Sequence, residues 1–178
     1  LSIEGPKASP NFIGAWMIDK PEICDDLVNY FEENKAKQKK GIVGDRLNQE
    51  IKKTTDITVD PNELDYPKNA KLKEYIENLY SCYCDYLSQW PFLGELTESL
   101  EIGPFALVKY DSGGHFNQVH TERASLATLQ RVLVWMTYLN DMDCSGETYF
   151  SHYDISIKPK KGLTLIWPAE WTHAHRGN

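Results

Sequence analysis

The chain has 178 residues, enough for one domain that buries about 70% of the surface its unfolded chain exposes. Apolar residues make up 41% and charged residues 25%, ordinary globular usage that excludes a disordered tract or a fibrous repeat. A net charge of −7 argues against a broad nucleic-acid-binding face, and apolar runs of only a few residues predict neither a membrane-crossing helix nor a secretion signal.

The first half reads as helices and loops. Pro21 suits a first helical turn, and Ile23, Cys24, Leu27, Val28 and Phe31 recur at helical spacing, which predicts a helix to about residue 36. Lys35, Lys37, Lys39 and Lys40 then read as a solvated helix end before Gly41. Residues 41–67 lack periodicity and carry Gly41, Gly44, Pro61 and Pro67. Ile51 to Ile57 has room for one short strand, and the stretch has the character of a binding loop, a lid or a mobile connector. A second helix is predicted from Leu72, Tyr75, Ile76, Leu79, Tyr83, Tyr86 and Leu87, with Asn69 as its cap and Pro91 past its end. Cys82 and Cys84 lie two apart on this helix and so face nearly opposite ways. With Cys24 and Cys144 they read as reduced thiols, not a disulfide framework, which fits a cytoplasmic setting.

From residue 99 the texture changes to strands. Glu101–Tyr110 is rich in β-formers and is followed by a Gly113-Gly114 turn. Phe116–Glu122 reads as extended, and Val132–Leu139 is apolar on both faces, as a strand between two layers would be. Glu147–Phe150, Ile155–Lys158, Leu163–Trp167 and Thr172–His175 are further short strands, with Pro159-Lys-Lys-Gly162 as a turn. The expected architecture is α+β within one domain over residues 1–178. Residues 1–98 form a helical and loop support, and 99–178 a β-sandwich.

All five histidines lie in the last 64 residues, which points to metal or proton chemistry there. In a strand His120 and Glu122 face the same way about 6.7 Å apart, so an imidazole and a carboxylate can converge on one ion. A second histidine source follows some fifty residues later at His173 or His175. Two histidines and one carboxylate on one face of a β-sandwich form the facial triad of non-haem Fe(II) oxygenases.

Six short pieces then occur in a set order: Tyr110 with Gly113-Gly114, His120-Thr-Glu122, Arg131 with Tyr138-Leu139-Asn140, Gly146-Glu-Thr148-Tyr-Phe150, Pro159-Lys-Lys-Gly162 and His175-Arg-Gly177. In this order residues 99–178 resemble the catalytic core of the prolyl 4-hydroxylase-like 2-oxoglutarate/Fe(II) dioxygenases. The resemblance implies a double-stranded β-helix, the cupin-like jelly-roll. It also implies His120, Glu122 and His175 as Fe(II) ligands, with His173 as the alternative third ligand. Glu122 stands where most of that family has aspartate. Tyr110, Tyr138 and Thr148 match positions that line the pocket of the 2-oxoglutarate cosubstrate. The family anchors the distal carboxylate of 2-oxoglutarate with a lysine or arginine about ten residues after the last histidine. Here the given sequence stops at Asn178, so the expectation is a missing last strand, or a substitute cation such as Arg131 or Arg176.

The implied activity is hydroxylation of an unactivated C–H bond, foremost of a prolyl residue in a peptide or protein. O2 is consumed, succinate and CO2 are co-products, and ascorbate is expected to support turnover. Neither nucleic acid nor membrane is an expected partner, and a small-molecule substrate is the other option. Two alternatives stand beside this. A cupin-type metalloprotein would use His173 and His175 as a pair with a glutamate further on, which the sequence lacks. The other is a β-sandwich binding module without catalysis.

Overall fold

The computed structural model describes residues 11–44, 46–97 and 99–177; the expectation attached to Asn178 lies outside them. An opening strand β1 (Gly14–Met17) is absent from the sequence expectation. It is recruited by register: Gly14 to Met17 pair antiparallel with Ile166 to Leu163 of a strand some 150 residues later. Helix α1 (Ile23–Glu33) follows, shorter than expected, with Asp25 and Asp26 in its first turn where the helix dipole favours negative charge. The lysine run is no helix end. Lys35–Lys37 form a 3₁₀ turn and Lys39–Lys40 the short strand β2, while the Lys37 ammonium pairs with Glu63 at 3.0 Å. Two strands occupy the irregular stretch, β3 (Lys52–Lys53) and β4 (Thr55–Val59).

Helix α2 (Ala70–Gln89) matches its expected span and buries Leu72, Tyr75, Leu79, Cys82 and Tyr86, with Cys84 exposed on the other side. Asn69 does not cap it with its side chain; the amide is fully buried and donates instead to the Glu63 carbonyl at 2.7 Å. No helix among the described residues is long and apolar enough to cross a membrane. A short helix α3 (Phe92–Leu96) leads to β5 (Phe105–Lys109) and β6 (His115–Phe116). The strands β7 (Leu133–Thr137), β8 (Thr148–Phe150), β9 (Ile155–Ile157), β10 (Leu163–Pro168) and β11 (His175–Gly177) complete the order. The fold is thus mixed helix and antiparallel sheet.

Two three-stranded sheets, β1-β10-β7 and β2-β4-β5, lie under the helices, and a third, β11-β8-β9, forms the opposing layer. Side-chain alternation divides β7 and β10 between two cores. Ile166, Leu133 and Trp135 join Ile57, Val59 and Leu107 against Leu27, Leu72 and Tyr75 of the helices. Leu165, Trp167, Val134, Met136 and Tyr138 face the other way, onto Phe150, Ile155 and Ile157. So β7 does lie between two layers, as its sequence predicts. A chain of hydroxyls crosses this interior: the Tyr75 hydroxyl meets Thr137 Oγ1 at 2.9 Å, and Thr137 meets Thr164 at 2.7 Å.

The turn before β6 needs glycine. At Gly113 φ is +72°, and a methyl on Gly114 would sit 2.8 Å from the Asp111 carbonyl and 2.9 Å from that of Lys53. This turn carries the chain from β5 into the segment that holds His120. Leu72 is fully buried at the contact of α2 with both sheets. Leu72→Ala is expected to cost about 2–5 kcal/mol of stability, measured as a lower urea midpoint with unchanged slope.

Candidate metal centre

Residues 120 and 175 form an isolated antiparallel bridge. Each donates its backbone N–H to the other's carbonyl at 2.9 Å. Residues opposed in this way project their side chains to the same side of the pair, so both imidazoles face one space, with ring centroids 4.5 Å apart. On its far side β11 pairs with β8, His175 opposite Phe150, which fixes the register of the whole segment.

Glu122 arrives differently from the expectation. Only residues 115–116 are regular strand, and the chain bends at residue 122. Backbone and side-chain bonds hold that bend. Thr121 Oγ1 donates to the Ala169 carbonyl at 2.6 Å, the Arg123 N–H donates to the same carbonyl at 3.1 Å, and the Arg123 guanidinium pairs with Glu170. Glu122 Oε1 thereby comes 3.5 Å from His120 Nε2 and 4.0 Å from His175 Nε2. One ligand atom from each of the three residues lies within 4.8 Å of the others.

The proton positions follow from the partners. His120 Nδ1 lies 2.9 Å from the Gln118 carbonyl, and His175 Nδ1 lies 2.9 Å from that of His173. A carbonyl only accepts, so each ring carries its proton on Nδ1, and in the neutral form Nε2 presents a lone pair to the shared space. Burial holds His175 below the usual histidine range, with the nearby His120 adding to it, which favours that neutral form. Glu122 is held below the usual carboxylate range chiefly by His120, whose ring when protonated donates Nε2–H to it, with His175 and Arg131 adding to this against the opposing effect of burial; a metal cation bound there takes the place of that proton. Two imidazole lone pairs and a carboxylate oxygen converging on one point are a donor set for a divalent cation. Nδ1 bonding to carbonyls is the usual support for a metal-ligating histidine.

Aromatic rings wall the site. Phe116 stacks on His120 at 4.0 Å between centroids, while Trp167 and Phe150 lie 5.1 and 5.6 Å from the His175 ring. Phe116 is a residue the sequence reading missed, and strand spacing could not have found it. Four residues of strand span about 13 Å, and the two rings meet only because the chain bends between them.

His173 stands apart. It does not share a strand face with His175, because residues 171–173 form a 3₁₀ turn and β11 begins at His175. Its Nε2 is 2.7 Å from the Asn11 carbonyl and its Nδ1 is 3.0 Å from Thr172 Oγ1, so the buried ring has both nitrogens engaged outside the cluster. That removes both the alternative third ligand and the paired histidines of a cupin-type site. His115 is half-buried and lies 3.0 Å from the Glu50 carbonyl, tying β6 to the loop before β3. His152 is exposed, edge-on to Trp171.

The three pocket candidates are brought together in part. The Tyr138 hydroxyl donates to buried Thr148 Oγ1 at 2.7 Å and also lies 3.1 Å from the Ile157 carbonyl. Tyr110 keeps 49% of its surface exposed, yet its phenol is crowded enough that desolvation, with Asp56 and Tyr138 nearby, pushes its pKa up to about 12. The two substitute cations differ: the buried Nε of Arg176 has no hydrogen-bond partner among the described contacts, whereas Arg131 is engaged. Arg131 bonds Glu122, and Arg176 lies over the Tyr149 ring at 5.3 Å.

No protein-family model and no curated protein matches the chain. Solved structures do. A Pseudomonas putida prolyl-4-hydroxylase matches at TM-score 0.70 and 15% identity, over 93% of this chain and 84% of that one. A Trichoplax adhaerens prolyl hydroxylase in complex with a hypoxia inducible factor peptide fragment matches at TM-score 0.70 and 15% identity, over 94% and 77%. A viral collagen prolyl hydroxylase of Paramecium bursaria Chlorella virus-1, in complex with 2-oxoglutarate, matches at TM-score 0.58 and 16% identity, over 94% and 87%. The chain has the fold of the prolyl hydroxylases.

His173 and His175 both sit below the ordinary histidine value of about 6.5 through burial. As pH falls, the unfolded chain takes up these protons first, so the metal-free protein is expected to lose stability from about pH 7 downward. Urea midpoints at pH 7.5 and 5.5 measure the loss, and it should be smaller in His173→Gln.

Proposed function

We propose that this protein is a 2-oxoglutarate- and Fe(II)-dependent dioxygenase that hydroxylates a prolyl residue of a peptide or protein. One observation carries the reading: His120 Nε2, Glu122 Oε1 and His175 Nε2 converge, two of them from directly paired backbone positions. Support comes from the fold shared with proteins named prolyl hydroxylases, one bound to a peptide and one to 2-oxoglutarate. The core is then a double-stranded β-helix, with β1-β10-β7 and β11-β8-β9 as its opposed sheets.

In this reading His120, Glu122 and His175 hold Fe(II) through three atoms on one side and leave the other side open. Iron and 2-oxoglutarate together supply the chemistry: oxidative decarboxylation by O2 to succinate and CO2, coupled to C–H hydroxylation. The chain's own residues position and shield. The carbonyls of Gln118 and His173 accept from Nδ1, so Nε2 is the nitrogen each ring would offer to the metal. Tyr110, Tyr138 and Thr148 offer hydroxyls to the cosubstrate, with the Tyr138–Thr148 bond setting the direction of that pair. Phe116, Phe150 and Trp167 limit water around the ligands. On this reading ascorbate would support turnover, and the setting would be cytoplasmic.

The test is anaerobic addition of Fe(II) and 2-oxoglutarate to the protein. A weak visible charge-transfer band is expected, followed by succinate once air is admitted, and His120→Ala is expected to abolish both. Metal binding that 2-oxoglutarate leaves unchanged would overturn the proposed reaction.

A further inference from the structure

Glu122 has two carboxylate oxygens, and the structure uses them differently. Oε1 faces the two imidazoles at 3.5 and 4.0 Å, whereas Oε2 accepts from Arg131 Nη1 at 2.8 Å. The same nitrogen lies 3.3 Å from the Glu122 carbonyl, so one guanidinium engages both backbone and side chain of the residue. Arg131 stands two residues before β7, at the far end of the loop that begins at Glu122. This bond closes that loop. Contacts to the Ala169 carbonyl already hold the residues on either side of Glu122, and on the side chain itself Arg131 is what engages the oxygen turned away from the imidazoles.

We propose that Arg131 is a positioning residue that reserves Oε1 of Glu122 for the metal and keeps the carboxylate to one donor atom. The inference rests on the metal reading of the three-residue cluster. Its physical content concerns side-chain length. Glutamate has one more rotatable bond than aspartate and wanders further, and a second partner on Oε2 removes that freedom. It also blocks chelation through both oxygens, which would use up a coordination position that a ligand needs.

Two effects of the arginine oppose each other. Its charge repels a nearby cation, while its bonds orient the ligand. The guanidinium is about half exposed, so solvent screens the first effect, and orientation is expected to win. Lysine keeps the charge and one donor, which separates the two.

Co(II) titration under anaerobic conditions, followed by its visible d–d bands, provides the test. Arg131→Met is expected to bind Co(II) about tenfold more weakly than the wild type and to shift the bands, with Arg131→Lys in between. Recovery by lysine cannot come from relief of repulsion, because lysine carries the same charge. The melting temperature of the metal-free variants should match the wild type, which separates positioning from folding. Met and wild-type affinities within twofold, with unchanged bands, would overturn the proposal and leave the metal reading intact. A wild-type protein that binds no Co(II) would overturn both.

Discussion

The site depends on one reciprocal pair of backbone hydrogen bonds, between His120 and His175. Fifty-five residues separate the two positions in the chain. Only an antiparallel pairing in this register puts both imidazoles on the same side of the sheet at ring contact. A slip of one residue would send the His175 side chain to the opposite face and bring Arg176 or Ala174 in its place. The pairing of β11 with β8 and the bonds of residues 121 and 123 to Ala169 hold the register from two further directions.

Around that pair the electrostatics follow from burial and from which nitrogen has a carbonyl partner. Carbonyls take the Nδ1 protons, which turns both Nε2 lone pairs toward Glu122. A cation placed among the three atoms satisfies both lone pairs and the carboxylate oxygen. The aromatic rings pack on the two imidazoles and fix their orientation.

The loop that precedes the strand-rich half is tied to the site by packing. Lys52 crosses close to Gly41, where a methyl would lie 2.9 Å from its Cε, and pairs with Asp56 at 2.7 Å. Its ammonium lies 5.5 Å from the centre of the Phe116 ring, and Phe116 in turn stacks on His120. The pairing of β3 with β6 makes the same connection through the backbone. The strands Lys39–Lys40, Lys52–Lys53 and Thr55–Val59 are therefore joined, through β6 and Phe116, to the neighbourhood of His120.

Much was legible in the sequence because it depends on local periodicity. The span of α2, the layered position of β7, the turns at Gly113-Gly114 and Pro159–Gly162, and the residue types at 120, 122 and 175 could all be read from spacing and composition. Those features follow from side-chain alternation and backbone sterics, which act over a few residues. Contacts at long range were not legible: the capture of β1 by β10, the ring of Phe116 on His120, the division of Glu122 between two imidazoles and Arg131, and the withdrawal of His173 into the protein. His173 and His175 are equivalent by spacing. They are separated only because a 3₁₀ turn gives way to a strand between them, and that change is set by the Ser151 and Phe150 backbones across the sheet. The sequence by itself thus determined which chemistry was on offer, while the tertiary register decided which atoms meet.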